Sequence, residues 1–346
     1  MSIAVLPVDD DTDAILAMIY AGWESQAICA AVTLKLPDHL AAGATSARAL
    51  ATAAQCNLDG VSRLLRALTS LNVVHVDEHG TYALTASGKR LRTGTPDSLA
   101  GQAQWFGRFC WPLWGELAES VKTGVSARVR AGGSGGYGHL LADPEAARVF
   151  NLAMRDITRI VAGSLVAAYD FAGVRHIVDV GGGHGDLLAA VLRALPEATG
   201  QLIELAHALP GARQRMVEAG LENRVVVQEG DFFTSITAHA DAYLLKAVLH
   251  NWDDAHCGRI LATIGRAMSS RSRLLIIERL LPDQMQPVPQ HQAVARSDLN
   301  MLVGLGGRER TVAELTSLLQ VAGFDSVRVL PLSGAFSLID ARRSFD

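Results

Sequence analysis

Val178-Asp179-Val180-Gly181-Gly182-Gly183-His184-Gly185-Asp186 is the stretch on which the fold turns. A β run over 176–180 leads into the glycines, and a helical pattern over 187–195 follows them. Glycines at a strand-to-helix turn let a ligand approach the backbone, and the helix N-terminus favours polar or anionic groups. A nicotinamide fingerprint, Gly-x-Gly-x-x-Gly, needs Gly or Ala at its last position, where Asp186 stands. The pattern present is Gly181-x-Gly183-x-Gly185, with Asp179 two places ahead of it. A diphosphate repels such a carboxylate, whereas an ammonium and a sulfonium attract it. The loop therefore suits S-adenosylmethionine better than NAD.

Working outward, strand and helix patterns alternate from about residue 174. β runs fall at 176–180, 201–205, 224–227, 242–246 and 273–277, with helices at 187–195 and 254–268 among those between them. Alternation of this kind predicts a doubly wound, mostly parallel α/β sheet with helices on both faces. Two late β runs, 326–330 and 335–339, are expected to close it as an antiparallel pair. Glu204 ends the second strand, nineteen positions past Gly185, where an acidic residue meets a ribose diol. Gly230-Asp231-Phe232-Phe233 follows the third, setting an acceptor for an adenine amine beside an aromatic wall. Each alone reads equally well as a cap or a solvated turn. Their order at successive strand ends makes the cofactor reading.

With 346 residues the chain has length for two domains. Residues 1–100 read as helices followed by a hairpin, with Asn57 capping a helix that carries Val61, Leu64, Leu65 and Leu68 on one face. Val74 and Val76, then Tyr82 and Leu84 across a Glu78-His79-Gly80 turn, complete a winged-helix-like unit. Seven Lys/Arg against ten Asp/Glu in this segment argue against DNA, so it reads as a dimerisation platform. Its first helix, with Ile15, Leu16, Met18, Ile19 and Ile28, is apolar on more than one side and fits a subunit contact. Residues 101–172 read as a helical linker, broken by glycines at 131–136. Its aromatics Trp105, Phe106, Phe109, Trp111 and Trp114 are expected mainly in packing, with one or two lining a flat ligand pocket. Residues 173–346 form the cofactor domain.

Net charge −4, 49% hydrophobic and 19% charged residues exclude a protein built to grip nucleic acid or an anionic membrane, and a disordered chain. Four scattered cysteines without a CxxC pair point to a reducing cytoplasm and no zinc site. The acidic start lacks a signal-peptide pattern, and the longest apolar helical run near the middle, 160–169, falls short of the roughly 20 residues a span needs.

Past the fourth strand comes Leu244-Leu245-Lys246-Ala247-Val248-Leu249-His250-Asn251-Trp252-Asp253-Asp254. His250 sits where open α/β sheets bind ligands. Glu278 follows the fifth strand, and Gly306-Gly307-Arg308-Glu309-Arg310-Thr311 offers a second carboxylate. A histidine flanked by two carboxylates is held in one tautomer, as a general base needs. Asp253 and Asp254 read as helix caps rather than metal ligands.

With these motifs in order, the chain resembles the S-adenosylmethionine-dependent O-methyltransferases of the plant caffeate and bacterial secondary-metabolite type. The resemblance spans nearly the whole chain, through DVGGGHG, GDFF, LLKAVLHNWDD, IIERLLP and GGRERT. It implies a Rossmann-like class I methyltransferase domain behind an N-terminal winged-helix-like dimerisation domain. It implies cofactor contacts at Gly181, Gly183, Glu204, Asp231, Phe232 and Lys246, the lysine through its main chain. His250 would be the base, bracketed by Glu278 and Glu309, and Phe150, Met154, Asn300 and Met301 would line the acceptor pocket. Glu204 stands where Asp is commoner, Asn251 replaces an acid of the plant members, and Asn300 puts an amide at a usually apolar place. The implied protein is a cytoplasmic homodimer that methylates a small hydroxylated aromatic metabolite, leaving S-adenosylhomocysteine, without a metal. The alternatives are a nicotinamide-dependent oxidoreductase, disfavoured by Asp179 and Asp186, and a ligand-binding winged-helix regulator, disfavoured by the acidic first segment. An idle relative serving as a partner subunit fits the intact His250 and Glu278 poorly.

Overall fold

Apolar spacing builds the first of two units, which the contacts of the computed structural model divide at residues 1–109 and 110–346. The structure describes residues 10–133, 136–236 and 239–343, so Ser134 and Gly135 of the glycine-rich stretch lie outside the described residues. The first unit holds α1 (Asp10–Thr33), α2 (Leu36–Ala41), α3 (Ala47–Ala53) and α4 (Leu58–Ser70), then the hairpin β1 (Val74–Val76) and β2 (Tyr82–Leu84), then α5 (Ala86–Lys89) and α6 (Ala100–Gln104). The Asn57 side chain accepts from the Gly60 N–H at 3.0 Å, capping α4, whose Val61, Leu65 and Leu68 are buried with Leu36 and Leu50. This is the winged-helix-like arrangement the pattern predicts.

On α1 only Cys29, Ala31 and Val32 are buried, while Met18 and Trp23 are 70% and 69% exposed in the single chain. By length and composition α1 is apolar enough to cross a bilayer, the one such helix among the described residues. Beyond its acidic first turn, Glu24 is the only charge α1 carries, and that sets its hydropathy.

The second unit begins after a π-helical turn at Trp105–Cys110 with four short helices, α7 (Trp111–Trp114), α8 (Leu117–Thr123), α9 (Ala127–Arg130) and α10 (Gly138–Ala142). The long α11 (Pro144–Ala168) follows, capped by Asp143, which accepts from the Ala146 N–H at 2.9 Å. The alternating segment then gives β3 (His176–Val180), α12 (Asp186–Ala194), β4 (Thr199–Glu204), α13 (Leu209–Ala219), β5 (Val225–Glu229), β6 (Ala242–Lys246), α14 (Asp254–Ala267) and β7 (Arg273–Leu281). It ends in α15 (Pro289–Gly304), the two-residue β8 (Arg310–Thr311), α16 (Val312–Val321), β9 (Phe324–Pro331) and β10 (Phe336–Arg343).

The strands line up as β5-β4-β3-β6-β7-β10-β9, with β8 pairing β7. The first five run parallel, and β10 enters antiparallel between β7 and β9. Leu165, Leu188 and Leu192 from α11 and α12 bury one face against Ile177, Leu275 and Ile277. Ile260, Ile264, Leu315 and Leu319 from α14 and α16 bury the other against Val178, Tyr243 and Ile276. Burial on both faces explains why these strands read as nearly continuous apolar runs. The chain reverses its direction of travel between β3 and β6, and a crevice for ligands opens there beyond the strand C-ends.

Candidate active site

A cavity of about 350 Å³ occupies that crevice, walled by the turns after β3, β4, β5 and β6 and by one side of α11. Gly181, Gly183 and Gly185 all have positive φ (67°, 61° and 78°), which L side chains rarely adopt. At Gly185, the residue entering α12, a Cβ would also lie 2.8 Å from the Met216 side chain. Glu204 ties this turn to the next: one carboxylate oxygen accepts from the Gly183 N–H at 3.1 Å, the other from the Leu205 N–H at 2.6 Å. Burial raises its proton affinity against those two bonds. Asp231 holds its own turn by accepting from the Phe233 N–H at 2.8 Å. Phe232 lies 4.9 Å from the Phe233 ring and 6.4 Å from Trp252, and all three rings face the cavity.

Asp179 lines the cavity fully buried, with neither carboxylate oxygen hydrogen-bonded. Burial pushes it up to about 7, against the pull of the Lys246 ammonium. Lys246 is in turn drawn down to about 8 by burial. A buried carboxylate without a donor is costly unless a cation reaches it. Ala247, next to Lys246, has φ 52°, a strained value for a residue with a Cβ, located at the cavity wall.

His250 lies in a single 3-10 turn, Leu249–Asn251, directly after the Val248 segment of that wall. Its Nδ1 donates to Glu309 Oε1 at 3.0 Å and lies 3.5 Å from Glu278 Oε2. Carboxylates only accept, so Nδ1 carries the proton and Nε2 presents its lone pair. The two carboxylates thus converge on one ring nitrogen instead of flanking the ring. Glu278 Oε1 accepts the N–H groups of Val248, Leu249 and His250 at 3.0, 2.9 and 3.4 Å, anchoring the turn itself. Ser297 donates to Glu309 Oε1 at 2.6 Å. At Gly307 a Cβ would fall 2.0 Å from the His250 carbonyl, so glycine is required for the Glu309 loop to lie against the turn. Burial opposes a charge on His250, yet Glu278 and Glu309 outweigh it and raise its proton affinity. The same three residues bring one ligand-type atom each within 4.8 Å of one another.

Phe150 and Met154 on α11 line the cavity, as expected of acceptor residues. Asn300 and Met301 do not. Asn300 accepts from the Trp114 indole N–H at 3.0 Å and Met301 is buried on α15. Trp105, Phe106, Phe109, Trp111 and Trp114 also lie outside the cavity wall; Trp105 and Phe109 stack on each other at 5.3 Å. The sequence reading passed over Tyr137, Asn151, Arg155 and Thr158, which line it. Asn151, Arg155 and Thr158 share a helical face at i, i+4, i+7 beside Met154, a pattern that was available. Asp186 was also unassigned; it receives Arg215 Nε at 2.6 Å and Arg155 Nε at 3.6 Å.

Comparison with known proteins agrees with this geometry. The O-methyltransferase domain model matches residues 114–325, and the O-methyltransferase dimerisation domain model matches residues 16–94. Phenazine O-methyltransferase PhzM of Lysobacter antibioticus is 37% identical over 328 residues, covering 95% of each chain. The LaPhzM crystal structure superposes with a TM-score of 0.91 at 36% identity, over 98% of this chain and 100% of that one. NcsB1, an O-methyltransferase of neocarzinostatin biosynthesis solved with S-adenosylmethionine and 2-hydroxy-5-methyl naphthoic acid, gives a TM-score of 0.75 at 33% identity, over 92% and 96%. With both halves matched and the sheet order, glycine turn and buried histidine in place, the chain belongs to the O-methyltransferase family.

Proposed function

We propose that the protein transfers a methyl group from S-adenosylmethionine to a hydroxyl of a small aromatic metabolite, with His250 as general base. The observation that carries this reading is the buried histidine whose Nδ1–H is committed to Glu309 at 3.0 Å beside a cavity containing the unpaired Asp179. Its residues fit the cofactor. Asp179 answers its ammonium, Arg155 its carboxylate, Glu204 its ribose diol, Asp231 and Phe232 its adenine, and the glycine turn with the Lys246 main chain closes around it. Bound there, the cofactor supplies a methyl group already activated on sulfonium. The protein adds alignment and proton removal.

His250 Nε2 takes the proton of the acceptor hydroxyl, and Glu309 stabilises the imidazolium that results. Glu278 keeps the turn in place through three N–H bonds. Phenol with pKa about 10 is roughly a thousandth ionised at pH 7, a deficit of about 4 kcal/mol. A positioned base contributes about 10²–10⁴-fold, which offsets much of that. Phe150 and Met154 offer the apolar wall for a flat ring. We read residues 1–100 as the dimerisation domain, 101–172 as a connecting and acceptor-lining segment, and 173–346 as the cofactor domain of a cytoplasmic homodimer without a metal.

Calorimetric titration with S-adenosylhomocysteine, with NAD as the control, tests the reading. Micromolar one-to-one binding of S-adenosylhomocysteine alone is expected. Binding of NAD instead, or of neither by folded protein, overturns it.

A further inference from the structure

Helix α11 carries three arginines, and two of them are paired within the helix. Arg148 donates to Glu145 and Arg159 to Asp156, each three residues back, at 2.8 and 2.7 Å. Arg155 has Asn151, Leu152, Thr158 and Arg159 at the corresponding positions, so its own helix offers it no acid there. It lines the cavity, and its one ionic partner among the described residues is Asp186, whose Oδ1 lies 3.6 Å from Nε. That distance is too long for a hydrogen bond, and the buried Nε makes none. Among the described residues its two Nη groups are likewise uncommitted. Asp186 opens α12 at the end of the glycine turn, nearly buried, and it is already neutralised: Arg215 on α13 donates from Nε to the same Oδ1 at 2.6 Å. A carboxylate at a helix start has no need of a second guanidinium. Two arginines on one carboxylate oxygen leave one positive charge over. Arg155 lines the cavity and Arg215 does not, so the surplus falls on the cavity side. At the other end of the glycine turn stands Asp179, a buried carboxylate without a hydrogen bond.

We propose that Asp186, pinned by Arg215, is a positioning residue that holds Arg155 at the cavity wall, where the guanidinium takes the carboxylate of the cofactor's amino-acid tail. This rests on the methyltransferase reading above and adds to it the device that sets up tail recognition. A planar guanidinium meets a carboxylate with two parallel hydrogen bonds, a strong and directional pair. Asp186 restrains Arg155 at Nε and leaves its Nη groups for the ligand, so less side-chain freedom is lost when the anion arrives. Because Arg215 holds the same oxygen more closely, Asp186 restrains Arg155 without cancelling its charge. With Asp179 for the ammonium, the two ends of the glycine turn then carry opposite charges for the two ends of a zwitterion.

The test uses the full-length protein, whose binding of S-adenosylhomocysteine is measured first. The decarboxylated analogue, which keeps the adenosine, the thioether and the ammonium, is then titrated beside it. The wild-type protein is expected to bind the carboxylate-bearing ligand about tenfold tighter or more. That preference should vanish in Arg155→Met and fall about threefold or more in Asp186→Asn, with the analogue bound as before. The sign of the second result is diagnostic. Removal of the Asp186 charge by itself favours an incoming anion, so an effect of charge alone raises the preference. A preference unchanged or raised in Asp186→Asn overturns the proposal, and so does equal weakening of both ligands, the mark of a merely structural role. A preference that survives in Arg155→Met overturns it as well. Should Asp186→Asn fail to fold, Arg215→Met takes its place: Asp186 then neutralises Arg155, the preference should fall, and an undiminished preference overturns the proposal. If S-adenosylhomocysteine binds and the analogue binds equally well, only the tail-recognition device falls. If S-adenosylhomocysteine does not bind, the methyltransferase reading falls and takes the device with it.

Discussion

At the scale of single residues, His250 has one nitrogen fixed and one available, and this makes two measurements informative. His250→Ala is expected to lower kcat by about 10²-fold or more, while S-adenosylhomocysteine affinity stays within a few-fold, because the ring serves proton removal and not cofactor binding. A near-wild-type kcat would remove it from the mechanism. The second measurement is the pH profile of kcat/KM. The base must be neutral to act, and Glu278 and Glu309 raise its proton affinity above that of an ordinary histidine despite burial. Activity should therefore rise with pH through an inflection above about 6.5. In Glu309→Gln one supporting charge is gone, so the inflection moves to lower pH while the plateau falls. An inflection that stays in place would show that Glu309 does not govern the ring. The three residues also resemble a metal ligand set, yet Ser297 and three backbone N–H groups already serve the carboxylates. Turnover unchanged after EDTA dialysis is the expected result, and strict loss of activity restored by a divalent ion would reverse that assignment.

At the scale of elements, the site depends on how strands end and helices begin. The sequence pattern stops the fifth strand at 277 because polar Glu278 and Arg279 follow, whereas β7 continues to Leu281. Pairing with β10 through Arg279↔Phe336 and with β8 through Leu280↔Arg310 supplies the backbone partners that sustain it. This extension sends Glu278 to one face and Arg279 to the other. Helix α14 begins at the Asp253 cap, which accepts from the His256 N–H at 2.9 Å. Asp253→Ala should cost about 1 kcal/mol of stability, read as a lower denaturant midpoint, with turnover preserved. A large loss of turnover without loss of stability would mean the carboxylate acts in the chemistry.

At the scale of the whole molecule, α1 is the feature that a single chain leaves unfinished. Ile15, Met18, Ile19 and Trp23 form an exposed apolar surface, and the last three fall in the segment matched by the dimerisation domain model. Burial of such surface releases about 25 cal/mol per Å², so four large side chains matter to association. The double variant Met18→Glu, Trp23→Glu is expected to shift sedimentation from dimer to monomer. A dimer unaffected by both charges would place the subunit contact elsewhere.

The sequence by itself determined the architecture, because both main signals are local. Buried parallel strands must be apolar on both faces, and turns with positive φ call for glycine, so the existence and order of β3 to β7 and the Gly181–Gly185 turn were legible, though not every strand end. The order of motifs at strand ends likewise brought Glu204 and Asp231 to the cavity wall and His250 to the turn between Val248 and Asn251 of that wall, since a doubly wound sheet gathers its strand C-ends at one crevice. What only the tertiary structure decided are relations between residues distant in the chain. Glu278 and Glu309 meet on a single nitrogen of His250 because β7 and the Gly307 loop pack there. Asn300 and Met301 lie off the cavity because α15 turns Asn300 toward Trp114. Arg155, Tyr137 and Arg279 take their places through contacts with Asp186 on α12, Phe150 on α11 and Phe336 on β10. Spacing in a sequence records the period of one element, whereas a contact between two elements depends on which faces they bury against each other.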